Sequence, residues 1–318
     1  MVALSGRHYL RDVKLSQSPT GMFRTASIKD SIEAFFCPGI GLMLRARGRA
    51  IVALVCSSPY HVTFLSGLSG MYFKPPKKLL HLAGKAIADF KMIHAEDKIL
   101  VAVSGGKDSL SLLHALMHFQ RHAPIHFELG VITIDPQSED FDPSTLKPYM
   151  QELGMNYHYI SEPIVKLASK HMQKDSFCAF CSRMRRGLMY KTAREHNYNV
   201  LALGQHLDDL AESFLMSALH GGKLKTMKAH YINDDGDIRV IRPFVYSREK
   251  QLREYATLAK LPVIEDNCPA CFAKPTQRQH MKELLASQEA LYPNTLQTLL
   301  TTIKPLISRG LPNLENRP

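Results

Sequence analysis

Two adjoining stretches decide the fold of this chain: the apolar run Ile99-Leu-Val-Ala-Val103 and the hexapeptide Ser104-Gly-Gly-Lys-Asp-Ser109. An apolar, β-branched run that ends in Ser-Gly-Gly and continues into an amphipathic segment predicts a strand, a tight turn and a helix N-terminus. Glycines let the backbone come close to a ligand, and the free N–H groups of a helix N-terminus attract anions. Lys107 adds a positive charge, while the two serines add hydroxyl donors. The pattern therefore predicts a phosphate-binding loop for a nucleotide.

The glycine spacing excludes two common phosphate loops. A Walker A loop needs four residues between its first glycine and Gly-Lys-Ser/Thr, whereas Gly105 and Gly106 are adjacent. A dinucleotide fingerprint needs a third glycine where this chain has Ser109. The hexapeptide resembles the pyrophosphate loop (PP-loop) of ATP pyrophosphatases, Ser-Gly-Gly-x-Asp-Ser, at every fixed position. The resemblance implies that residues 104–109 bind ATP, which is cleaved between its α and β phosphates, with Lys107 and Asp108 also catalytic. An ordinary Gly-Gly turn with a helix-capping serine is the alternative.

Composition indicates a globular enzyme with a polyanionic partner. The chain has 318 residues, of which 45% are hydrophobic and 22% charged, and its formal net charge is +11. That charge favours nucleic acid over a membrane surface, because no long basic amphipathic helix stands out. A solvated lysine-rich face would give the same net charge.

The first seventy residues differ from the rest. They carry eight basic and three acidic residues, and their apolar residues show no regular helical or strand spacing. We expect residues 1–70 to be a disordered extension or an untranslated one, with translation starting at Met71. A transit peptide is a further alternative, weakened by the acidic residues. The run Ala50–Cys56 is too short to span a bilayer.

From residue 71 onward the pattern becomes regular. We expect a helical segment over 71–97, one catalytic domain over 98–310 and a tail over 311–318. The predicted strands and helices alternate along the chain. We expect strands at Lys98–Val103, Phe127–Ile134, Tyr157–Ser161 and Val200–Leu203. We expect helices at Leu79–Phe90, Leu110–Phe119, Leu146–Leu153, Gly187–His196 and Leu207–Leu219. Such alternation predicts an α/β fold, a doubly wound parallel sheet with helices on both faces and ligands at the carboxyl ends of the strands. Asp135 and Gly204 fall at such ends, and we expect both to contact ATP.

Four of the six cysteines form two Cys-x-x-Cys pairs, Cys178/Cys181 and Cys268/Cys271. Without a secretory signal this arrangement argues against a disulfide scaffold. Thiolates are the preferred ligands of iron–sulfur clusters, but four thiolates also describe a structural Zn²⁺ site. The residues themselves leave cluster, zinc and a redox disulfide open.

Several segments together resemble the tRNA 2-thiocytidine biosynthesis (TtcA) family of the PP-loop ATP pyrophosphatase superfamily, over about residues 76–308. The matching segments are Cys178–Gly187, Leu203-Gly-Gln-His-Leu-Asp-Asp209, Gly221-Gly-Lys-Leu-Lys225, Arg242-Pro-Phe, Arg248-Glu-Lys and Asn267-Cys-Pro-Ala-Cys271. The resemblance implies a PP-loop fold (adenine nucleotide alpha hydrolase-like) and ATP-dependent replacement of the C2 oxygen of cytidine-32 in tRNA by sulfur. It also implies a [4Fe-4S] cluster on Cys178, Cys181 and Cys268, with Cys271 a possible fourth thiolate. A sulfur donor such as a cysteine desulfurase, a homodimer and a cytoplasmic location without membrane attachment are further expectations.

Other charged residues are candidates for the same site. Asp208 and Asp209 open a helix after a strand end, where they either cap the helix or, as catalytic residues, hold Mg²⁺ beside ATP. The candidates for tRNA binding are Arg183, Arg185, Arg186, Lys223, Lys225 and Lys228, although a solvated face explains them as well. The chain departs from the family at Gln205, where a second histidine is frequent, and at Leu207, where a basic residue is common.

Three other functions compete with this interpretation. A tRNA 2-thiouridine synthetase shares the PP-loop and the use of three cysteines. A lysine- or ammonia-transferring relative would not need the cysteine pairs. A non-catalytic RNA-binding protein with a structural Zn²⁺ site would bind RNA without releasing AMP.

Overall fold

The computed structural model describes residues 73–138, 141–171, 177–264 and 276–308, together with the backbone of four strands between residues 32 and 65. The chain divides into two units, Met1–Tyr72 and Phe73–Pro318. None of the helices in the described ranges has the length and apolar character needed to cross a membrane. The expected tail over 311–318 lies outside the described residues.

The first unit contains a four-stranded antiparallel sheet in the order β1-β2-β3-β4. Its strands are β1 (Ile32–Cys37), β2 (Gly41–Ala46), β3 (Arg49–Ser58) and β4 (His61–Leu65). The longest of them, β3, contains the apolar run Ala50–Cys56, whose β-branched residues suit a strand. The sequence predicted no regular structure here, so these strands are a finding. Whether the native protein starts upstream of Met71 stays a prediction.

The second unit alternates strands and helices. Its strands are β5 (Asp97–Ala102), β6 (Phe127–Asp135), β7 (Asn156–Ser161), β8 (Val200–Ala202), β9 (His230–Ile232) and β10 (Arg239–Ile241). Its helices are α1 (Lys77–Asp89), α2 (Lys107–His122), α3 (Leu146–Glu152), α4 (Ile164–His171), α5 (Phe177–Glu195), α6 (Leu207–Gly221), α7 (Glu249–Leu258), α8 (Gln277–Leu291) and α9 (Thr295–Ile307).

The six strands form one sheet in the order β7-β6-β5-β8-β10-β9. All neighbouring pairs are parallel except β9 and β10, which form an antiparallel hairpin. The chain runs outward from β5 to β7 and then returns to β8 on the other side of β5. The switch point of the sheet therefore lies between β5 and β8, where open α/β sheets bind their ligands. The predicted α/β fold is confirmed, with one antiparallel edge strand that the sequence analysis did not predict.

Both faces of the central strands β5 and β8 and of most of β6 are buried, which explains the continuous apolar runs of these strands. Leu100 packs with Ile132, Leu201 and Val240 into a core cluster against α5, and the alternating residues of β5 are equally buried. Successive strand residues point to opposite faces, so β5 lies between two layers of helices. This burial fixes the ends of β5 and β8, which carry the candidate site.

Candidate functional site

The loop between β5 and α2 is built around Gly105 and Ser109. Gly105 has φ of +87°, a conformation that side chains rarely adopt, and Gly106 is the N-cap of α2. The Ser109 hydroxyl donates to the carbonyl of Gly106 at 2.9 Å and accepts from the N–H of Ser104 at 3.2 Å. The serines thus hold the loop, and the helix N-terminus remains the anion-binding element.

Lys107 and Asp108 lie in the first turn of α2. The Lys107 Nζ is 3.2 Å from Asp108 Oδ2 and 3.1 Å from Glu249 Oε1 of α7. Burial lowers the pKa of Lys107, but the charges of Asp108 and Glu249 outweigh it, so this pKa lies above its ordinary value. Burial alone would raise the pKa of Glu249. The hydrogen bonds and positive charges of Lys282 and Lys107 lower this pKa more strongly, to about 2. Lys107 is therefore a fixed cation at the loop.

Asp108 is the described carboxylate that best fits a cation. Burial raises its pKa, while His206 and Lys107 oppose the shift. Its Oδ1 atom is buried and has no hydrogen-bond partner within the described residues. A divalent cation bridging to phosphate would satisfy this oxygen. Within those residues no group of three or more His, Cys, Asp or Glu side chains could hold a metal by itself.

The loop after β8 packs directly against the PP-loop. A Cβ atom on Gly204 would lie 3.1 Å from the carbonyl carbon of Asp108 and from the nitrogen of Ser109, so only glycine fits without displacement. His206 caps α6 by accepting from the N–H of Asp209, whose carboxylate accepts from the N–H of His206. The sequence analysis predicted that Gly204 lies at this edge, and the glycine brings the two loops into contact.

The two adjacent carboxylates of α6 have different surroundings. Asp209 lines the cleft and forms an ion pair with Arg278 of α8. Asp208 accepts from Arg248 Nε at 3.1 Å and from the N–H of Glu249 at 2.8 Å, and it lines neither cleft of the site. Asp209 thus borders the cleft, whereas Asp208 connects α6 to α7, and the predicted catalytic and Mg²⁺-binding roles of both stay predictions.

The cleft at the switch point has a volume of about 300 Å³. Its lining residues are Ala102, Val103, Ser104, Asp108, Ser109, Ile132, Ile134, Arg185, Met189, Leu203, Gly204, Gln205, Asp209 and Arg278. A second, mostly polar cleft of about 260 Å³ adjoins it and includes Lys107, His206, Glu249 and Lys282. Ile132 and Ile134 form an apolar floor in the cleft, and charged side chains surround it. Such a site suits a nucleotide, because the faces of its base are apolar and its phosphates are charged.

Helix α5 carries the first cysteine pair and contributes to the wall of the cleft. Cys181 packs against the core cluster that contains Ile132 and Ile134, two residues of the cleft floor. Arg185 and Met189 follow at helical spacing on α5 and line the cleft directly, and Arg185 Nε is buried without a hydrogen-bond partner among the described residues. Cys178 lies one turn before Cys181 in the same helix, and its side chain lies outside the described residues.

Cys268 and Cys271 also lie outside the described residues, but both flanks of their segment reach the site. Ile264 donates its N–H to the carbonyl of Gly105 at 2.9 Å. On the other side, Thr276 and Arg278 line the polar cleft beside Lys107. The segment between residues 264 and 276 therefore starts and ends at the phosphate loop.

Asp135 has a structural environment. Its carboxylate accepts from the N–H of Gln137 at 2.7 Å and from the hydroxyls of Tyr159 and Ser161. It lies at the carboxyl end of β6, as the sequence analysis predicted, but it does not line the cleft. Its predicted role in ATP binding stays a prediction, which these contacts do not favour.

The remaining basic candidates lie apart from the cleft lining. Arg183 and Arg186 are exposed on α5. Lys223 and Lys225 are exposed after Gly222, and the backbone there is held by the hydroxyl of Ser217, which donates to the Lys223 carbonyl at 2.8 Å. Lys228 contributes its carbonyl to a hydrogen bond from Arg242. Their role in tRNA binding stays a prediction.

Sequence reasoning missed four residues of the site: Glu249, Arg278, Lys282 and Gln205 as a cleft residue. Glu249 belongs to the quoted Arg-Glu-Lys segment, which was a signal for it. Arg278 and Lys282 sit four residues apart on α8 and pair with Asp209, Glu212 and Glu249. Nothing local in the sequence reveals those pairs, because the partners lie far apart along the chain.

Comparison with known proteins yields one family model and many related proteins. A model described as the PP-loop domain matches residues 77–283. The tRNA-cytidine(32) 2-sulfurtransferase of Pasteurella multocida (strain Pm70) is 38% identical over 240 residues, which cover 75% of this chain and 76% of that protein. The enzyme of the same name from Nitrosomonas eutropha is 39% identical over 230 residues, covering 72% and 73%.

Among solved structures, the U34-tRNA thiolase NcsA from Methanococcus maripaludis with its [4Fe-4S] cluster matches with a TM-score of 0.59 and 18% identity. The match covers 72% of this chain and 78% of that chain. At this identity the likeness concerns the fold.

Proposed function

The chain belongs to the tRNA-cytidine(32) 2-sulfurtransferase family of PP-loop proteins, and from that premise we propose that it replaces the C2 oxygen of a tRNA cytidine by sulfur at the expense of ATP. The observation that carries the proposal is the shared cleft. Residues of the PP-loop line it on one side, and α5, the helix of Cys181, lines it on the other through Arg185 and Met189. The cleft thus lies between the PP-loop and the helix that carries the first cysteine pair, which supports a shared site for ATP cleavage and sulfur transfer.

The first step is adenylation of the nucleobase. The C2 oxygen is a poor leaving group, so its attack on the α-phosphorus of ATP, with departure of pyrophosphate, converts it into part of AMP. The N-terminus of α2 and Lys107 stabilise the leaving pyrophosphate by charge. Asp108 and Asp209 would hold Mg²⁺, whose positive charge would add to that stabilisation.

The second step is attack of a sulfur nucleophile on C2 with release of AMP. Cys178, Cys181 and Cys268 would hold a [4Fe-4S] cluster, which would supply the sulfur when bound. The donor set fits, because two thiolates come from one helix turn and the flanks of the third reach the PP-loop. Ile132 and Ile134 line the cleft with apolar side chains, which would limit the access of water to the activated base.

The decisive experiment compares Cys181→Ala with a matched control, Cys56→Ala, whose cysteine belongs to the other unit. Anaerobically purified wild type should be brown and should form AMP, pyrophosphate and 2-thiocytidine with tRNA. Cys181→Ala should lose the chromophore and the thionucleoside, whereas Cys56→Ala should keep both. A colourless, zinc-loaded and fully active wild type would refute the cluster.

Nucleoside analysis also decides between the alternatives. Formation of 2-thiouridine would identify a uridine enzyme, and activity that survives loss of Cys268 would indicate an ammonia- or lysine-transferring relative. RNA binding without AMP release would indicate a non-catalytic protein. A cytoplasmic location, a cysteine desulfurase as sulfur donor and a homodimer are parts of the same proposal, tested by fractionation, reconstitution and light scattering.

A further inference from the structure

Gln205 is a cleft residue whose amide has a fixed orientation. It follows Gly204 at the carboxyl end of β8 and lines the cleft. Its Oε1 atom accepts a hydrogen bond from Arg242 Nε at 2.9 Å. A guanidinium has donors only, so the amide oxygen, and never the nitrogen, must face it. The NH₂ group of Gln205 therefore points away from Arg242, and within the described part of the chain it has no acceptor.

Arg242 is itself held in place. It is buried, with 5% of its surface exposed. Its Nη1 atom donates to the carbonyl of Lys228 at 2.7 Å, and its guanidinium lies 5.5 Å from the ring centroid of Tyr231. A side chain with this many fixed contacts does not rotate to release its partner. The orientation of Gln205 is thus set by the fold.

The position of Gln205 suits a contact with the attacking base rather than with the phosphates. The α-phosphate is attacked from the side opposite to the departing pyrophosphate. On the β8 side of the switch point lies the loop of Gly204 and Gln205, and Gly204 packs against the backbone of Asp108 and Ser109. Phosphate charge is already met by Lys107 and the N-terminus of α2. A neutral donor such as the Gln205 amide fits a neutral carbonyl or ring nitrogen.

We infer that Gln205, oriented by Arg242, selects cytosine over uracil at the reacting position. This inference rests on the proposed function and specifies its substrate. Cytosine presents two adjacent acceptors, O2 and N3, whereas uracil presents O2 beside an N3–H donor. A locked donor matches the cytosine edge and opposes the N3–H of uracil. A freely rotating amide would accept that N3–H and would not discriminate.

The test uses two substitutions with opposite chemistry. Gln205→Glu keeps a partner for Arg242 but presents only an acceptor to the cleft. Gln205→His keeps the donor, because an imidazole nitrogen that accepts from Arg242 forces the proton onto the other nitrogen. With transcripts of one tRNA bearing C or U at the modified position, wild type and Gln205→His should release AMP mainly with C. Gln205→Glu should lose about tenfold or more with C and reverse or abolish the C-over-U preference.

Two further measurements make the result decisive. The circular-dichroism spectra of all three proteins should be the same, which shows that the fold is intact. Fluorescence anisotropy of the C and U transcripts should show a several-fold preference for C in wild type that is absent in Gln205→Glu. Equal binding of both transcripts by wild type, or an unchanged preference in Gln205→Glu, would overturn the inference. A preference for C without any 2-thiocytidine would overturn the proposed function alone.

Discussion

Replacing Gly204 by alanine perturbs the contact on which the whole site depends. The new Cβ would lie 3.1, 3.1 and 3.2 Å from three backbone atoms of Asp108 and Ser109. Ordinary contacts begin at 3.4 Å, so the loop after β8 and the first turn of α2 must separate by 3.4 − 3.1 = 0.3 Å. The neighbours are backbone atoms of the PP-loop helix and cannot rotate away. Overpacking of this kind costs about 1–3 kcal/mol.

The matched control is Gly84→Ala in α1. Its Cβ would meet only the ring of Phe119 at 3.6 Å, an ordinary contact, and alanine in a helix interior gains about 0.5–1 kcal/mol over glycine. Urea denaturation should therefore show Gly204→Ala less stable than wild type and Gly84→Ala slightly more stable. AMP formation should fall at least tenfold in Gly204→Ala alone, because small shifts in a reacting geometry are costly. Wild-type stability and turnover in Gly204→Ala would refute the reasoning.

Two further predictions concern the carboxylates of α6 and a buried histidine. Asp208→Asn should lower the free energy of unfolding by about 1–3 kcal/mol, because the ion pair with Arg248 is lost, and should keep most AMP formation. Asp209→Asn should lose AMP formation. The reverse pattern in denaturation and turnover assays would contradict the different roles given to the two carboxylates. His230 is 1% exposed, and burial, helped by the charges of Arg239 and His94, lowers its pKa from 6.5 to about 4 against the opposing hydrogen bond to Phe90. The unfolded chain therefore takes up a proton first, so stability is lost as the pH falls from 6.5 towards 4. At pH 5 the loss caused by His230 is about 2 kcal/mol. His230→Gln should reduce the loss of stability between pH 7 and pH 5 by that amount, while buried His114, whose pKa is also lowered to about 4, keeps a pH dependence of its own; a pH dependence equal to that of wild type in urea denaturation at pH 7, 6 and 5 would contradict this prediction.

The sheet and the phosphate loop were predictable because their signals are local. β5, β6 and β8 are apolar runs bounded by turn residues, and Ser104–Ser109 sets its own turn through glycine and short hydroxyls. The hairpin of β9 and β10 was missed because three-residue strands carry too little pattern. Helix α5 starts at Phe177, ten residues before the predicted start at Gly187, because Cys-Ala-Phe-Cys-Ser-Arg has no apolar period.

The electrostatic part of the site was not predictable in the same way. The pair of Arg278 and Asp209 joins residues 69 positions apart, and the hydrogen bond of Arg242 to Gln205 joins residues 37 apart. Such contacts depend on how α8 and β10 pack, not on local spacing. For the same reason Asp208 and Asp209, equal candidates in the sequence, separate only when α7 brings Arg248 to one of them.

The connection between ATP cleavage and sulfur delivery follows from chain anchoring rather than from any single contact. The segment with the second cysteine pair lies between Ile264 and Thr276. Ile264 is hydrogen-bonded to Gly105, and Thr276 lines the polar cleft together with Lys107. Cys181, of the first pair, packs against the core cluster that contains Ile132 and Ile134, and both of these residues line the same cleft. The chain thus anchors one cysteine of the first pair and the two described flanks of the second pair close to the phosphate loop, although the residues concerned lie far apart in the sequence.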